Sequence, residues 1–210
     1  MLNHVRGNWV ARLRRFAETS PPGRERCELC GALIGASHQH VLELETRSLL
    51  CACQPCSIAL AESGRFRLVE PSIEALADFH LSDCEWEAMQ LPIDLVFLFL
   101  STPEGGPVAL YPGSGGATAS TMSREAWSRL AAANPILETL SPDVEALLIN
   151  RVRGARGYYR VSIDRCFALV GLIRSQWRGL SGGSQVWEAI AHFFAALDAD
   201  DHQSGMLAHG

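Results

Sequence analysis

The stretch that decides the fold of this chain is Cys27-Glu-Leu-Cys30-Gly31, followed twenty positions later by Cys51-Ala-Cys53-Gln-Pro-Cys56. This short region contains five of the seven cysteines. Two thiolates in a C-x-x-C sequence can bind one tetrahedral ion from a tight turn, and two such pairs complete a four-ligand shell. The pattern therefore predicts a structural metal site, with zinc as the expected ion.

Local composition indicates how the ligands are delivered. Residues 27–31 are typical of a knuckle in which the glycine takes a positive φ and lets the two sulfurs converge. Runs containing apolar residues at 40–44 and 48–51 predict a two-stranded ribbon. Residues 57–62 have a helical composition, with Pro55 near the start, where its missing N–H costs nothing. Together these features predict a treble-clef or ribbon-like zinc module.

The region holds more candidate ligands than a tetrahedral ion needs. The two C-x-x-C pairs have the usual ligand spacing, and the predicted ligands are Cys27, Cys30, Cys53 and Cys56. In an extended segment Cys51 faces the same side as Cys53, so either Cys51 or His40 can replace one of the four. The ring of His38 shares a face with His40 and can hydrogen-bond a ligand sulfur, although a surface position on the strand is the simpler interpretation.

Four sulfur ligands suit zinc or iron. A rubredoxin-like iron site has C-x-x-C-G on both sides, and only residues 27–31 supply that sequence, so iron is the alternative expectation. A disulfide framework needs an oxidising compartment, and the N-terminal sequence has no export signal. A thioredoxin-type thiol pair needs a preceding strand, whereas residues 20–26 have the composition of a loop. We therefore expect reduced thiols in a cytoplasmic protein.

A wider set of motifs runs through the rest of the chain. In order they are Cys-Glu-Leu-Cys-Gly at 27–31, His-Gln-His at 38–40, Leu-Leu-Cys-Ala-Cys-Gln-Pro-Cys at 49–56, Leu-Tyr-Pro-Gly at 110–113, Pro-Asp-Val-Glu-Ala-Leu-Leu at 142–148 and Ile-Asp-Arg-Cys at 163–166. The set resembles an uncharacterised bacterial family encoded among nickel–iron hydrogenase structural and maturation genes, with the likeness running from about residue 27 to about residue 197. That family has no established activity. The resemblance implies a setting, with a hydrogenase subunit or maturation factor as protein partner, and no reaction.

The composition is that of a globular protein, with 48% hydrophobic and 20% charged residues among 210. The formal net charge of −5 gives no strong attraction to nucleic acid or anionic membranes. Residues 1–26 differ, since six arginines and two glutamates give them a net charge of +4 and leave −9 for the remainder. All eighteen basic residues are arginine. The absence of lysine excludes an internal Schiff base and the lysine of a phosphate-binding P-loop.

The distribution of apolar residues divides the chain into four parts. Residues 1–20 carry apolar side chains at helical spacing and predict an amphipathic N-terminal helix. Residues 24–64 form the Cys-rich metal-binding module, and residues 65–198 an α+β domain. Residues 199–210 have few apolar anchors, so we expect a disordered tail. The most hydrophobic run, at 93–100, is too short to span a bilayer.

Within the α+β domain, strands are predicted at 65–69, 93–100, 108–111 and 158–162. Helices are predicted at 72–77, 82–89, 124–133, 141–148, 165–177 and 185–197. A glycine-rich stretch at 112–118 has no phosphate-binding fingerprint and is expected to be a flexible loop. Because strands and helices do not alternate regularly, we predict an α+β fold with a small antiparallel sheet packed by helices.

No catalytic constellation is recognisable in the sequence. Asp143 and Asp164 fit the caps of predicted helices. Cys84 lies near His80, but a lone cysteine in such a segment is more typical of an apolar residue than of a nucleophile. We therefore expect a protein without enzymatic activity.

Three hypotheses for function follow, in order of preference. The first is a non-catalytic zinc-binding accessory protein that assists assembly or function of a nickel–iron hydrogenase through protein–protein contacts. The second is a rubredoxin-like iron protein or a thiol-redox protein that serves the same enzyme. The third is a nucleic-acid-binding regulator, a minor alternative that would use the N-terminal arginines in salt-dependent binding.

Overall fold

The computed structural model of the chain describes residues 25–91, 93–120, 122–179 and 182–207. The predicted N-terminal helix, residues 1–20, lies outside the described residues. The described part contains nine strands and five α-helices. They form an α+β fold with antiparallel sheets, which confirms the predicted fold class.

The secondary-structure elements are named here in chain order. The strands are β1 (Gln39–Glu43), β2 (Ser48–Ala52), β3 (Phe66–Val69), β4 (Ile73–Ala75), β5 (Leu95–Ser101), β6 (Gly106–Gly113), β7 (Gly116–Ser120), β8 (Glu145–Asn150) and β9 (Gly157–Ser162). The α-helices are α1 (Gln54–Ala61), α2 (Asp83–Ala88), α3 (Arg124–Ala133), α4 (Ile163–Gln176) and α5 (Gly183–Leu207). Short 3-10 helices span Pro135–Thr139 and Val152–Gly154.

The strands form two antiparallel sheets. The small sheet has the order β2-β1-β3 and the large sheet the order β4-β9-β8-β5-β6-β7. The predicted ribbon is present as β1 and β2, joined by a tight turn over residues 44–47. The large sheet has more strands than the sequence predicted, because β4, β7 and β8 were not recognised as strands.

β5 shows why helices cover both faces of the large sheet. Its side chains alternate between two buried clusters, with Phe97 and Phe99 in one and Val96 and Leu98 in the other. This is the pattern of a strand buried on both faces, as the continuous apolar run predicted. α4 and α5 cover the first face, and α2 and α3 cover the second.

The small sheet packs on the same core as α4 and α5. Leu42 of β1 and Val69 of β3 belong to the buried cluster that contains Ile163 and Cys166 of α4. The Cys-rich module therefore shares a core with the α+β domain. This packing places the start of β1 next to the N-terminus of α4.

Residues 141–148 are a turn and a strand, so the helix predicted there is wrong. The turn is closed by Asp143, which is buried and has a φ of 69°. Its carboxylate accepts from the amide and hydroxyl of Thr102, at 2.8 and 2.5 Å, at the end of β5. The Ser-Pro-Asp sequence that resembles a helix cap thus fixes a turn, and β8 begins at Glu145.

The helix predicted at residues 72–77 is also wrong, because this segment forms the edge strand β4. β4 pairs with β9, and the amide of Leu76 donates to the carbonyl of Tyr158 over 2.9 Å just beyond it. Pairing with an available sheet edge outweighs a weak helical propensity in so short a segment.

Two further segments differ from the sequence expectations. The glycine-rich stretch at 112–118 is the hairpin between β6 and β7, in which Gly113 pairs with Gly116. α5 continues to Leu207, through the segment expected to be disordered from residue 199. Besides its buried core residues, this helix makes a hydrogen bond of 2.9 Å from Tyr159 to Asp198 and an ion pair of 3.1 Å between Arg165 and Asp200.

None of the described helices, α5 included, combines the length and the apolar character needed to cross a membrane.

Candidate metal centre

The first pair of thiols lies on a knuckle closed by a left-handed glycine. The amide of Gly31 donates to the carbonyl of Cys27 over 2.8 Å, and the amide of Cys27 donates to the carbonyl of Ala32 over 2.8 Å. Gly31 has a φ of 74°, the conformation that the sequence predicted and one that any side chain disfavours. A β-bridge between Arg26 and Leu33 closes the base of the knuckle.

The second pair of thiols lies at the N-terminus of α1. Cys53 is the residue that precedes the helix, its carbonyl accepts from the amide of Ser57 over 3.0 Å, and Pro55 follows in the first turn. Cys56 also belongs to this first turn. Both thiols therefore lie where the helix dipole and the unpaired amides favour negative charge.

Four thiols from these two places meet. Their sulfur atoms all lie within 4.8 Å of one another, and the Sγ atoms of Cys30 and Cys53 are 3.7 Å apart. In a tetrahedral site with zinc–sulfur bonds of about 2.3 Å, neighbouring sulfurs are roughly 3.8 Å apart. The cluster can therefore hold a metal ion with little rearrangement. Its members are Cys27, Cys30, Cys53 and Cys56.

Hydrogen bonds and neighbouring thiols set unequal acidities within the cluster. Burial alone would raise the pKa of Cys27, but amides of the knuckle and of Cys53 surround its sulfur and lower the pKa to about 6. Hydrogen bonds with the thiols of Cys53 and Cys30 raise the pKa of Cys56 to about 12, and burial and the neighbouring Cys27 add to this effect. A bound cation would stabilise all four sulfurs as thiolates.

Glu28 connects the knuckle to the ribbon. Its amide donates to the carbonyl of Cys51 over 2.9 Å, and its carboxylate accepts from the amide of Cys51 over 2.7 Å. This pair of bonds fixes the knuckle against β2, one residue before the strand ends. One backbone and one side-chain hydrogen bond of Glu28 thus help to set the separation between the two pairs of thiols.

The alternate candidate ligands form a second group. The ligand atoms of His38, His40 and Cys51 all lie within 4.8 Å of one another. β1 and β2 create this group, because His40 is directly opposite Cys51 in the antiparallel register. The side chain of His38 is only 8% exposed, so the expected surface position on the strand is wrong for this residue.

A carboxylate from the other end of the chain completes the second group. Asp164 Oδ2 lies 2.9 Å from His40 Nδ1. This hydrogen bond raises the pKa of His40 to about 9. The sequence indicated Asp164 as a helix cap, but α4 begins at Ile163, so Asp164 lies within the first turn of the helix. His38, His40 and Cys51 are recognisable from a strand pattern, whereas the contact with Asp164 depends on tertiary packing across 124 residues.

The two remaining cysteines lie outside both groups. Cys84 is exposed on α2, where the ring of His80 hydrogen-bonds a backbone carbonyl and Asp83 binds Arg151. Cys166 is fully buried in α4, and burial raises its pKa well above the usual value. The polar groups around Cys84 are thus engaged elsewhere, and Cys166 is an apolar core residue.

Comparison with protein families gives one assignment. Residues 26–201 match the model of a family described as being of unknown function (DUF5947). Comparisons with curated proteins and with solved structures find no match. The matched residues include both groups of candidate ligands and nearly all the described elements. The chain therefore belongs to this family of unknown function.

Proposed function

We propose that Cys27, Cys30, Cys53 and Cys56 hold a structural zinc ion, and that the protein is a non-catalytic accessory factor that acts through protein–protein contacts. One observation carries the proposal: four sulfurs from a knuckle and a helix N-terminus converge at the spacing of a tetrahedral tetrathiolate. A closed shell of four protein ligands leaves no open position for a reacting group, which is the arrangement of structural rather than catalytic zinc.

The asymmetry of the two thiol pairs favours zinc over iron. The first pair is followed by a left-handed glycine, whereas the second is followed by Ser57 within α1. A rubredoxin-like site would be expected to present a glycine knuckle on both sides. Iron in the same shell is the alternative, and the two ions are distinguishable because a ferric tetrathiolate absorbs visible light and zinc does not.

Exposed apolar side chains support a protein-binding role. Large hydrophobic residues with high exposure include Leu33 at 65%, Ile58 at 56% and Leu29 at 41%. All three lie in the Cys-rich module, on or beside the two segments that carry the thiols. A module of this size buries little apolar surface of its own, and apolar groups left exposed on it are suited to contact with a partner. Because the chain resembles a family encoded with nickel–iron hydrogenase genes, the proposed partner is a hydrogenase subunit or maturation factor. The proposed location is the cytoplasm, where thiols stay reduced.

The metal is tested by elemental analysis of the purified chain and of the variant Cys30→Ser. We expect the variant to bind one zinc ion fewer per chain. Its melting temperature should fall by roughly 5–10 °C, which corresponds to about 2–3 kcal/mol in a chain of this length. Cys84→Ser, which changes an exposed thiol outside the cluster, should leave both quantities unchanged. Unchanged metal content and melting behaviour in Cys30→Ser would contradict the proposal, and visible absorption would identify iron.

The partner is tested by affinity purification from the native host with the wild-type chain and with Leu33→Ser/Ile58→Ser. We expect the wild-type chain to recover a hydrogenase subunit or maturation factor, and the double variant to lose it while retaining its zinc. Ile93→Ser changes an apolar residue of 37% exposure outside the module, and should retain the partner. Equal recovery by all three proteins would show that the module surface is not the binding site.

A further inference from the structure

His38, His40 and Cys51 are placed together by the small sheet. His40 and Cys51 are directly paired between β1 and β2, and His38 precedes β1 by one residue, on the same side as His40. The two imidazole rings meet edge to face, with centroids 4.7 Å apart and an interplanar angle of 80°. The ligand atoms of the three residues lie within 4.8 Å of one another.

Hydrogen bonding engages the same nitrogen, Nδ1, on both rings. Nδ1 of His38 lies 2.9 Å from the carbonyl oxygen of Gly35 and 3.2 Å from Oε2 of Glu25. Since both of these neighbours are acceptors, Nδ1 carries the proton and Nε2 has the lone pair. Nδ1 of His40 is bonded to Asp164 in the same way, which leaves its Nε2 as the available ligand atom.

Leaving Nε2 of His38 without a hydrogen-bond partner is energetically unfavourable. The atom is buried and has no hydrogen-bond partner within the described structure, and its side chain is only 8% exposed. A buried polar atom without a partner costs about 1–3 kcal/mol. A lone pair held at that cost beside a second imidazole and a thiol is suited to binding a cation.

Asp164 and an adjoining cleft complete the arrangement. A carboxylate that accepts from the Nδ1 proton of a metal-binding histidine fixes the ring and increases its basicity. The cleft beside the two histidines has a volume of about 560 Å³ and is also lined by Phe167, Arg165 and Asp164. It gives an exogenous ligand access to the group.

We propose that His38 Nε2, His40 Nε2 and Cys51 Sγ form a second metal site, distinct from the four-thiol cluster. Two imidazoles and one thiolate suit a late first-row divalent transition-metal ion such as zinc or cobalt(II). Three protein ligands leave a fourth position that faces the cleft, where water or a small anionic ligand binds. This ion therefore exchanges readily, unlike the ion in the closed shell.

A thiol–imidazole–carboxylate triad is the competing arrangement of Cys51, His40 and Asp164. Nucleophilic catalysis by such a triad needs a hydrogen bond between thiol and imidazole, and Cys51 lies close enough to His40 to contribute to its raised pKa. A triad leaves the buried nitrogen of His38 unexplained, however. The metal site uses all three side chains.

The test is titration of the full-length, metal-free chain with cobalt(II) under anaerobic conditions, followed by absorption spectroscopy. We expect two ions per chain. One should give a strong thiolate-to-cobalt charge-transfer band and the other a weaker band, because one thiolate contributes instead of four. A chelator should remove the weaker-absorbing ion first, because that site has three protein ligands.

Three variants and one control locate the second ion. His38→Ala and Cys51→Ser should each bind one cobalt(II) ion instead of two, while the strong band remains. Asp164→Asn should retain both ions but weaken the second by about 10–100-fold, because Asp164 positions His40 and does not bind the ion. His192→Ala, which changes an exposed histidine of α5, should bind two ions as the wild-type chain does.

Circular dichroism shows whether each variant is folded before its metal stoichiometry is interpreted. If His38→Ala is unfolded, the nearly isosteric Cys51→Ser alone tests the second site. The proposal is overturned if the wild-type chain saturates at one ion, or if Cys51→Ser still binds two. It is also overturned if iodoacetamide alkylates Cys51 equally fast before and after loading, because a metal-bound thiolate is protected. Equal alkylation rates together with a stoichiometry of one ion per chain would favour the triad of Cys51, His40 and Asp164.

Discussion

At the scale of single residues, the left-handed conformation of Gly31 directs the chain so that the thiols of Cys27 and Cys30 leave the knuckle on the same side. A Cβ at Gly31 would have open space around it, with no atom within 4 Å. A side chain at position 31 would be disfavoured only by the backbone φ of 74°. The effect of a side chain here therefore reports backbone strain alone, without a steric clash.

We predict that Gly31→Ala weakens zinc binding by the four-thiol cluster. The left-handed conformation costs an alanine about 1 kcal/mol, which corresponds to a roughly fivefold higher dissociation constant. Competition with a chromophoric chelator measures this change. Gly35→Ala is the matched control, because Gly35 has no positive φ and its added Cβ would meet the Ser37 carbonyl oxygen at an ordinary 3.7 Å. Equal affinities in the two variants would contradict the role of Gly31.

Residues also show where sequence reasoning succeeds and where it stops. The conformation of Gly31 and the cap of α3 by Ser123 depend on neighbours in sequence, and both were predicted. The burial of His38 and the bond from Asp164 to His40 depend on the packing of α4 against β1. Local patterns cannot report such contacts.

At the scale of elements, β8 shows how tertiary contacts override a helical sequence. Glu145 starts the strand and is only 8% exposed. Its carboxylate accepts two hydrogen bonds from the guanidinium of Arg160 in β9, at 2.7 and 3.0 Å, and a third from the amide of Ser141 at 2.8 Å. Burial would raise the pKa of Glu145, but the hydrogen bonds from Arg160 and Ser141 outweigh it and lower the pKa.

We predict that Glu145→Gln lowers the free energy of unfolding by about 2 kcal/mol at neutral pH, because it replaces charge-assisted hydrogen bonds with neutral ones. The pKa of Glu145 is lower in the folded than in the unfolded state. The stabilisation is therefore complete above the unfolded pKa of about 4.3 and is lost as the pH falls through the lower folded value. Urea unfolding at several pH values measures both effects.

The difference between the wild-type chain and Glu145→Gln should accordingly stay constant from neutral pH down to about pH 4.3 and narrow as the pH falls further. Acid release of metal affects both proteins equally, so it leaves this difference unchanged. A difference that stays constant across the range would show that the Glu145 carboxylate is not stabilised in its charged form by Arg160.

At the scale of the whole molecule, the two sheets share one core. Leu42 and Val69 of the small sheet pack in the cluster formed by the large sheet, α4 and α5. The composition and the mixture of elements were sufficient to predict an α+β class. The strand order β4-β9-β8-β5-β6-β7 could not be predicted, because the pairs β4-β9 and β5-β8 join segments distant in sequence.

We predict that a chelator loosens the Cys-rich module without unfolding the large sheet. The amides of Glu28, Gly31 and Ser57, which bond to carbonyls of Cys51, Cys27 and Cys53, should lose protection from hydrogen exchange when the cluster is emptied. The amides of β5 and β8 should keep theirs, because helices cover both faces of that sheet. Exchange measured by mass spectrometry with and without chelator tests this, and a uniform loss of protection would contradict it.

The hydrogen bond between His40 and Asp164 spans 124 positions of the chain, which has a consequence for biosynthesis. Translation delivers the four thiols of the first cluster before Asp164, so the ribosome-bound nascent polypeptide can capture an ion there before the carboxylate that orients His40 has been made. For the two proposed metal sites, the direction of translation therefore sets an order of loading.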